Sequence, residues 1–492
     1  MLALRRVGQG EHTRVREGKR LLLNRMLEAG GLNYGNRRIF GISLDPIPTP
    51  TALALLALQG EPVDDRIIRT ADYLRRQAAE SDDVEHLAWS ILALDATRPA
   101  GVTDAMLAAL RERLQIAAAT RAATPYLTEA PLRQALLALA LDVSRRNPFR
   151  LPAVAAAAPL EPGKLTGPAR PIGERVRSFL QGIAIKAAAQ LKPLDPTVPV
   201  HIAPVGDYNA NLTDVLSRQF AHFRDRVPLK GKRVVLKPNL VEYHRDKVIN
   251  THPHLIAAVI ELCQREGASE VIVAEGPGHW RNAEYLVRAS GLGDVIRHYK
   301  VSFVDLNHDE PVRRVNLARL TGLQHLYLAS TIATADVVIS LPKLKTHHWA
   351  VATLSMKNLF GTVPGTCYGW PKNELHWRGI DNSIVDITAT RTPDLAIVDG
   401  IVGMEGDGPL NGTPRPTGVV VMGADLLAVD ATCCRLMQLD PHKVGYLVLG
   451  NRMKLGQIAE PAIGQLGERI EDRRQPFDTV PYFKPLWVGR SA

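Results

Sequence analysis

Apolar positions follow two different patterns along this chain, and the change from one to the other divides it. In the first part three Ala/Leu-rich blocks recur: Thr51 to Leu58, Leu87 to Asp95 and Leu132 to Asp142. Their spacing, roughly 35 to 45 residues, is that of stacked helical hairpins in which each helix buries one face against its neighbours. The pattern predicts an all-α, helical-repeat region over residues 1–150. Pro46, Pro48 and Pro50 predict a stiff approach to a helix beginning near Thr51, because proline costs little before or within the first turn.

From Lys232 onward the period shortens to β-branched runs separated by helical stretches. Strands are predicted at Arg233 to Leu236, Glu270 to Ala274, Val301 to Val304, Asp336 to Leu341, Leu395 to Val398 and Gly418 to Met422, and helices at His252 to Glu266 and Asp425 to Leu436. Fully apolar strands alternating with helices imply an α/β region, residues 172–492, with a mostly parallel sheet covered on both faces. Ligands bind such sheets beyond the carboxyl ends of the strands. Between the two regions, 151–171 is rich in Ala, Pro and Gly without amphipathic period and reads as a linker. A helix from Ile172 to Leu191 is expected to lead out of it.

Composition changes this picture little. The 492 residues are 46% apolar and 22% charged, an ordinary balance for folded domains. The net charge of +10 is spread without a basic tail or basic–aromatic interleaving, so no nucleic-acid partner is expected. Cys263, Cys367, Cys433 and Cys434 are too few and too oddly spaced for a disulfide framework or the chain's own iron–sulfur cluster. Cys433 and Cys434 fall in an apolar helix and read as core, whereas Cys367 sits in an exposed type of loop. A reduced, cytoplasmic protein is expected. No window approaches the ~18 apolar residues of a membrane span, and no apolar stretch of secretory length follows Arg5 and Arg6.

The residues that follow each strand supply the chemistry. After the first come Lys237 and Asn239; after the second, Glu275, Gly276 and Gly278; after the fourth, Lys343, Lys345, His347 and His348; after the fifth, Asp399, Gly400, Gly403, Glu405, Gly406, Asp407 and Gly408. Lys237, Lys343, Lys345 and Lys357 would bring four ammonium groups to one sheet edge, where repulsion is costly unless an anion sits among them. The alternative is pairing with Glu275, Asp399 or Glu405. Thr251 is placed to cap the helix at His252, and such a helix end favours an anion. Asn358 completes the predicted binding set with Asn239, Thr251, Asp399 and Glu405.

His347, His348 and Glu275 are the candidate catalytic residues, His347 as general acid/base or hydrogen-bond donor. A divalent metal of mixed nitrogen and oxygen coordination is compatible with His347, His348, His376 and Asp407, although their spacing does not decide it. The segment Pro364 to Trp377, rich in Gly, Trp and Tyr, reads as a flap over a ligand.

Two resemblances add expectations. GGLNYGNRRIFG (Gly30 to Gly41) followed by TALALLALQG (Thr51 to Gly60) is similar to repeats of the prenyltransferase and squalene-cyclase α/α toroids. KPNLV from Lys237, THP from Thr251, AEGPG from Ala274, LPKLKTHH from Leu341, SMKNLFG from Ser355, VDGIVGMEGDGP from Val398 and AVDA from Ala428 resemble the "domain of unknown function 362" family. Many relatives carry a ferredoxin-like iron–sulfur insert, whose cysteines are missing from this chain.

The resulting expectation is an enzyme for an anionic, phosphate- or carboxylate-bearing small molecule, lipid-linked if the toroid resemblance extends to function. The alternatives are a non-catalytic metabolite-sensing or assembly protein with a protein partner on the helical region, and an iron–sulfur-associated redox protein lacking its own insert.

Overall fold

The computed structural model of the chain describes residues 1–33, 38–39, 42–43, 45–62, 64–121, 131–151, 195–278, 282–369 and 372–489. Two compact units are formed, one by residues 1–125 and 129–169, the other by 126–128 and 170–492. The expected linker at 151–171 and the helix expected from Ile172 to Leu191 lie outside the described residues, Leu151 excepted, as does much of the Gly30 to Gly41 motif.

The first unit is helical. All three Ala/Leu-rich blocks fall in helices, Pro48–Ala57, Val84–Thr97 and Pro131–Leu141, with Asp65–Glu80 and Asp104–Arg121 between them. Val84–Thr97 is apolar almost all round and buries Leu87, Ala88, Ile91, Leu92 and Leu94 at the centre of the bundle. Asp83 caps it, accepting from the Glu85 and His86 amides at 2.8 and 3.0 Å. The helix expected near Thr51 begins three residues earlier: Pro48 itself occupies the first turn, because its fixed φ suits that position and its missing amide is not needed there.

The second unit is built on a sheet of ten strands among the described residues. Its main path runs Ile463–Gly467, Val198–Pro204, Thr413–Gly423, Leu395–Glu405, Val337–Leu341, Arg233–Pro238, Glu270–Glu275, Ser302–Asp305. Six of its nine strand pairings are parallel. Alternation within each run explains the double-sided burial: Val234, Leu236, Ile397 and Val420 face one apolar cluster, and Val235, Ala396, Val398 and Val419 face the others. Helices Leu212–Phe220, Pro253–Arg265 and Leu292–Tyr299 cover the first face; Ile380–Thr390, Leu426–Leu436 and Gly445–Arg452 pack into the largest cluster on the second.

Two expectations are corrected here. Lys343–His347 is not a loop beyond a strand but a strand, parallel to Leu395–Glu405 and antiparallel to Val351–Thr353; Pro342 interrupts the run and its polar side chains disguise it. Gly400 and Gly403 are likewise inside a strand, which continues to Glu405. They fit because a Cβ at Gly400 would lie 2.9 Å from the Val419 carbonyl oxygen, and one at Gly403 2.8 Å from that of Leu344. No helix among the described residues is long and apolar enough to cross a membrane.

Candidate functional site

Lys237 is the penultimate residue of Arg233–Pro238, where the pleat directs it opposite to Leu236. The adjacent parallel strand ends at Glu275. Lys237 Nζ donates to Glu275 Oε2 at 2.7 Å, the Pro238 carbonyl at 2.8 Å and Asn358 Oδ1 at 3.1 Å, so all three of its protons are used. Glu275 is equally occupied, accepting in addition from the Leu240 and Gly276 amides at 2.9 and 2.8 Å. Burial still pulls the Lys237 pKa below the ordinary lysine value, with Glu275 opposing. Gly361 lies against this pair, where a Cβ would come 2.7 Å from Nζ.

Asn358 is the joint of the group. Its Nδ2 donates to the Lys237 carbonyl at 2.9 Å and Ser340 Oγ at 3.1 Å, while its Oδ1 also accepts from Asn239 Nδ2 at 3.2 Å. The turn that presents it is anchored by buried Asp430, which takes the Ser355 amide at 2.8 Å, Ser355 Oγ at 2.5 Å and the Met356 amide at 3.1 Å. Burial raises the Asp430 pKa to about 7. Asn239 Oδ1 is buried without a donor among the described residues.

A second ion pair closes the neighbouring strand ends. Asp399 Oδ2 accepts from Lys343 Nζ and the His252 amide, both at 2.9 Å, and its Oδ1 from Tyr208 Oη at 2.8 Å. Lys343 also donates to Tyr208 Oη at 2.7 Å. The Tyr208 ring stacks on His252 with centroids 3.7 Å apart. Burial raises the Tyr208 pKa and lowers that of His252 to about 4, with Asp399 opposing the latter. Thr251 does not cap the helix: His252 does, accepting from the His254 amide. Thr251 Oγ1 is committed elsewhere, donating to the Leu341 carbonyl at 2.6 Å and accepting from the Asn239 amide at 2.9 Å.

Three further lysines have no bonded carboxylate among the described residues. Lys345, fully buried, donates to the carbonyls of Ile249 at 2.7 Å and Pro409 at 3.4 Å. Burial lowers its pKa far below the ordinary value, and Lys343, Lys357 and Lys237 lower it further. Lys372 is buried in the expected flap and donates to Gly276 O at 2.8 Å, Pro277 O at 3.4 Å and Asn307 Oδ1. Desolvation takes its pKa to about 7 despite Glu275 and Asp305. Lys357 is partly exposed; its Nζ lies 4.1 Å from the Phe360 ring centroid and has no hydrogen-bond partner among the described residues. Its pKa falls to about 8 through desolvation, then Lys237, against Glu275.

The histidines differ from one another. His347 Nδ1 accepts from the Trp349 and Ala350 amides at 3.0 and 3.2 Å, so the neutral ring carries its proton on Nε2. Burial, then Lys357, His348 and Lys345, hold its pKa far below the usual histidine range. His348 lies 3.4 Å from Asp407, and burial lowers the histidine and raises the aspartate. His376 Nδ1 is 3.1 Å from the Lys372 carbonyl. Glu405 accepts from the Asp478 amide at 3.0 Å and pairs with Arg415 at 3.5 Å. No group of three or more His, Cys, Asp or Glu side chains placed to hold a metal ion occurs among the described residues.

The predicted set therefore separates into two buried ion pairs, Lys237–Glu275 with Asn239 and Asn358, and Lys343–Asp399, and into an under-neutralised group of Lys345 and Lys357, whose charges act on His347. Sequence reasoning missed Lys372, Asn307, Tyr208 and His252. Lys372 lay in a segment singled out only for glycine and aromatics, and Tyr208 follows a strand that was not recognised. Cys263, Cys433 and Cys434 are buried and Cys367 is exposed.

Comparison with known proteins bears on the same stretch. Residues 234–435 match the family model described as a domain of unknown function, DUF362. A thylakoid-associated protein of Synechocystis is 31% identical over 232 residues, 46% of this chain and 70% of that protein. All the strand-end groups described above except Tyr208 lie within the matched residues, and with that extent of similarity the chain belongs to the DUF362 family.

Proposed function

We propose that the α/β unit is an enzyme that binds a phosphate- or carboxylate-bearing small molecule at its strand ends, with Lys357 and His347 as the groups that meet it. The observation that carries this reading is Lys357, a partly exposed residue whose ammonium has no hydrogen-bond partner among the described residues and lies close enough to Lys237, Lys345 and Lys372 for the positive charges to act on one another. Among the described residues, Glu275 on Lys237 and Asp399 on Lys343 are the carboxylates bonded to the lysines of this group. An anion offsets such an excess of buried positive charge. In this reading Glu275 sets the charge of the site and does not move a proton, because its lone pairs are occupied. His347 offers Nε2–H to the ligand, and Lys357, with a pKa of about 8, is the group able to exchange a proton near neutral pH.

Titration calorimetry with inorganic phosphate and with citrate tests the proposal. Binding of at least one anion to the full chain, weakened at least tenfold in Lys357→Met, is the expected result. Absence of binding by both, or unchanged affinity in Lys357→Met, overturns it.

A second reading keeps the anion site and makes the protein a non-catalytic sensor or assembly factor, in which the helical unit, read as stacked repeats akin to the α/α toroids, recruits a protein partner. The name of the Synechocystis relative, thylakoid-associated, favours this reading over a purely cytoplasmic enzyme and points to work beside a membrane surface. Anion binding without turnover, together with co-purification of a stoichiometric partner that is lost on deleting residues 1–150, would select it.

A further inference from the structure

The balance of charge around Lys357 bears on how many charges the ligand carries, an inference that rests on the reading of Lys357 as an anion contact. Lys237 and Glu275, joined at 2.7 Å, form the centre of the arrangement. Lys237 Nζ also donates to Asn358 Oδ1 at 3.1 Å, and Asn358 directly follows Lys357. Lys372 Nζ donates at 2.8 Å to the carbonyl of Gly276, the residue directly after Glu275. Lys345 lies two residues along its strand from Lys343, whose own charge is met by Asp399. Lys237 and Glu275 both act on the charge of Lys345, Lys357 and Lys372, so all three stand around one ion pair.

The balance is uneven. Lys237 with Glu275 and Lys343 with Asp399 are each neutral as pairs, whereas Lys345, Lys357 and Lys372 have no bonded carboxylate among the described residues. Burial works first against the charged forms of all three. A ligand with one negative charge leaves two of these ammonium groups without a counter-charge; a second negative charge leaves one. Each charge offset away from bulk water counts for more than it would in water. Lys345 and Lys372 are fully buried and act on a ligand through charge alone, while partly exposed Lys357 is the one placed to touch it. Both negative charges therefore have to sit on the single group that meets Lys357. A phosphate monoester carries them so. A dicarboxylate spreads them over two groups, and a phosphodiester or a monocarboxylate has only one.

We propose that the group bound at Lys357 is a dianion, so that the ligand class is phosphate monoesters and not phosphodiesters, sulfate esters or monocarboxylates. Lys357 takes the phosphate directly. Lys345 and Lys372 supply the preference for its second charge from buried positions, without contact.

The test compares methyl phosphate with methyl sulfate, two esters of one shape that differ by one charge at pH 8, well above the second phosphate pKa of ~6. Calorimetry at fixed ionic strength is run on the full chain and on Lys345→Met, Lys372→Met and Lys357→Met. The expected result is methyl phosphate about tenfold tighter than methyl sulfate. Lys345→Met and Lys372→Met should each narrow that ratio about threefold, because a lost ammonium costs a dianion more than a monoanion. The two variants back one another, so a failure of either to fold leaves the ratio measurable in the other. Equal affinity for the two esters, with both weakened in Lys357→Met, overturns the dianion assignment and leaves the anion site standing. A ratio that stays unchanged in the Lys345 and Lys372 variants overturns the assignment as well, since the preference then has another source. Binding of neither ester to the wild-type protein overturns it by removing the contact on which it rests.

Discussion

The Lys343–Asp399 pair and the Lys345, Lys357 and Lys372 group are built on the same kind of residue, yet they differ in charge pairing. Asp399 receives three donors, and Lys343 spends its protons on Asp399 and Tyr208. The second group has neutral acceptors or none among the described residues. An ammonium bonded to a buried carboxylate has its charge offset and serves to hold the chain together. An ammonium met only by neutral acceptors, or by none, keeps its charge available to an anion, and burial makes that charge costly to keep. A strand-end lysine is thus informative about function only once its partners are known.

The largest expected effect is on the charge-paired side. Glu275→Gln leaves the Lys237 ammonium buried without its counter-charge and turns an amide group toward the Leu240 or Gly276 donor. Stability should fall by about 3–5 kcal/mol, as when one partner of a buried pair is removed. Adding Lys237→Met should recover part of the loss, since the uncompensated charge is then gone. Urea unfolding of the two variants measures both terms. A loss for Glu275→Gln under ~1 kcal/mol, the range of exposed pairs, would place Lys237–Glu275 on the wrong side of the comparison.

A smaller effect tests, through pH, the side that lacks bonded carboxylates. The Lys372 pKa is about 7 in the folded chain against about 10.4 for an unfolded lysine. Below pH 7 both states hold the proton and the cost of burying the ammonium is present in full. Between about pH 7 and 10 the unfolded chain holds more protons than the folded one, so this group makes stability rise with pH. Buried thiols act in the opposite sense: the Cys263 pKa is pushed up to about 12. The quantity to measure is therefore the difference between wild type and Lys372→Met in urea midpoint at pH 7 and pH 9.5. Wild type should gain on the variant as pH rises; parallel profiles would show that Lys372 carries no such burden.

The same contrast explains what could be read without coordinates. The central strands were legible because period-2 apolar runs such as VVL and VVIS must be covered on both faces, and the helical region because its Ala/Leu blocks cannot be left exposed. The strand Lys343–His347 was hidden because burial there falls on lysine and threonine, residues whose usual place is the surface. The helix cap was misplaced by one residue because Thr251 and His252 both carry an acceptor, and only the nearby Leu341 carbonyl and Asn239 amide decide which is free to cap. The clustering of the lysines could be anticipated from their position after strands. Their division into paired and unpaired could not, since it depends on which carboxylate a parallel neighbour delivers alongside.

The smallest effect separates two roles within one ring. His347 receives two backbone amides at Nδ1, in the manner of a cap, and Nε2–H faces the opposite way. His347→Ala removes the acceptor and should cost about 1–2 kcal/mol in stability, the range for losing a cap. His347→Asn puts a carboxamide oxygen where Nδ1 stood and should restore all but a few tenths of that, while presenting no donor in the Nε2 direction. If His347 served only to fix the turn, Asn would restore phosphate affinity together with stability. The expected result is that the Asn variant is as stable as wild type but binds phosphate several-fold more weakly, and more weakly at every pH from 6 to 8. A histidine held well below its usual pKa by burial and by Lys357 stays neutral across that span, so its donor strength does not change and neither should the deficit caused by removing it. A deficit that grew toward pH 6 would mean that the ring gains a proton on ligand binding, and His347 would then belong with the titrating groups and not with the fixed donors.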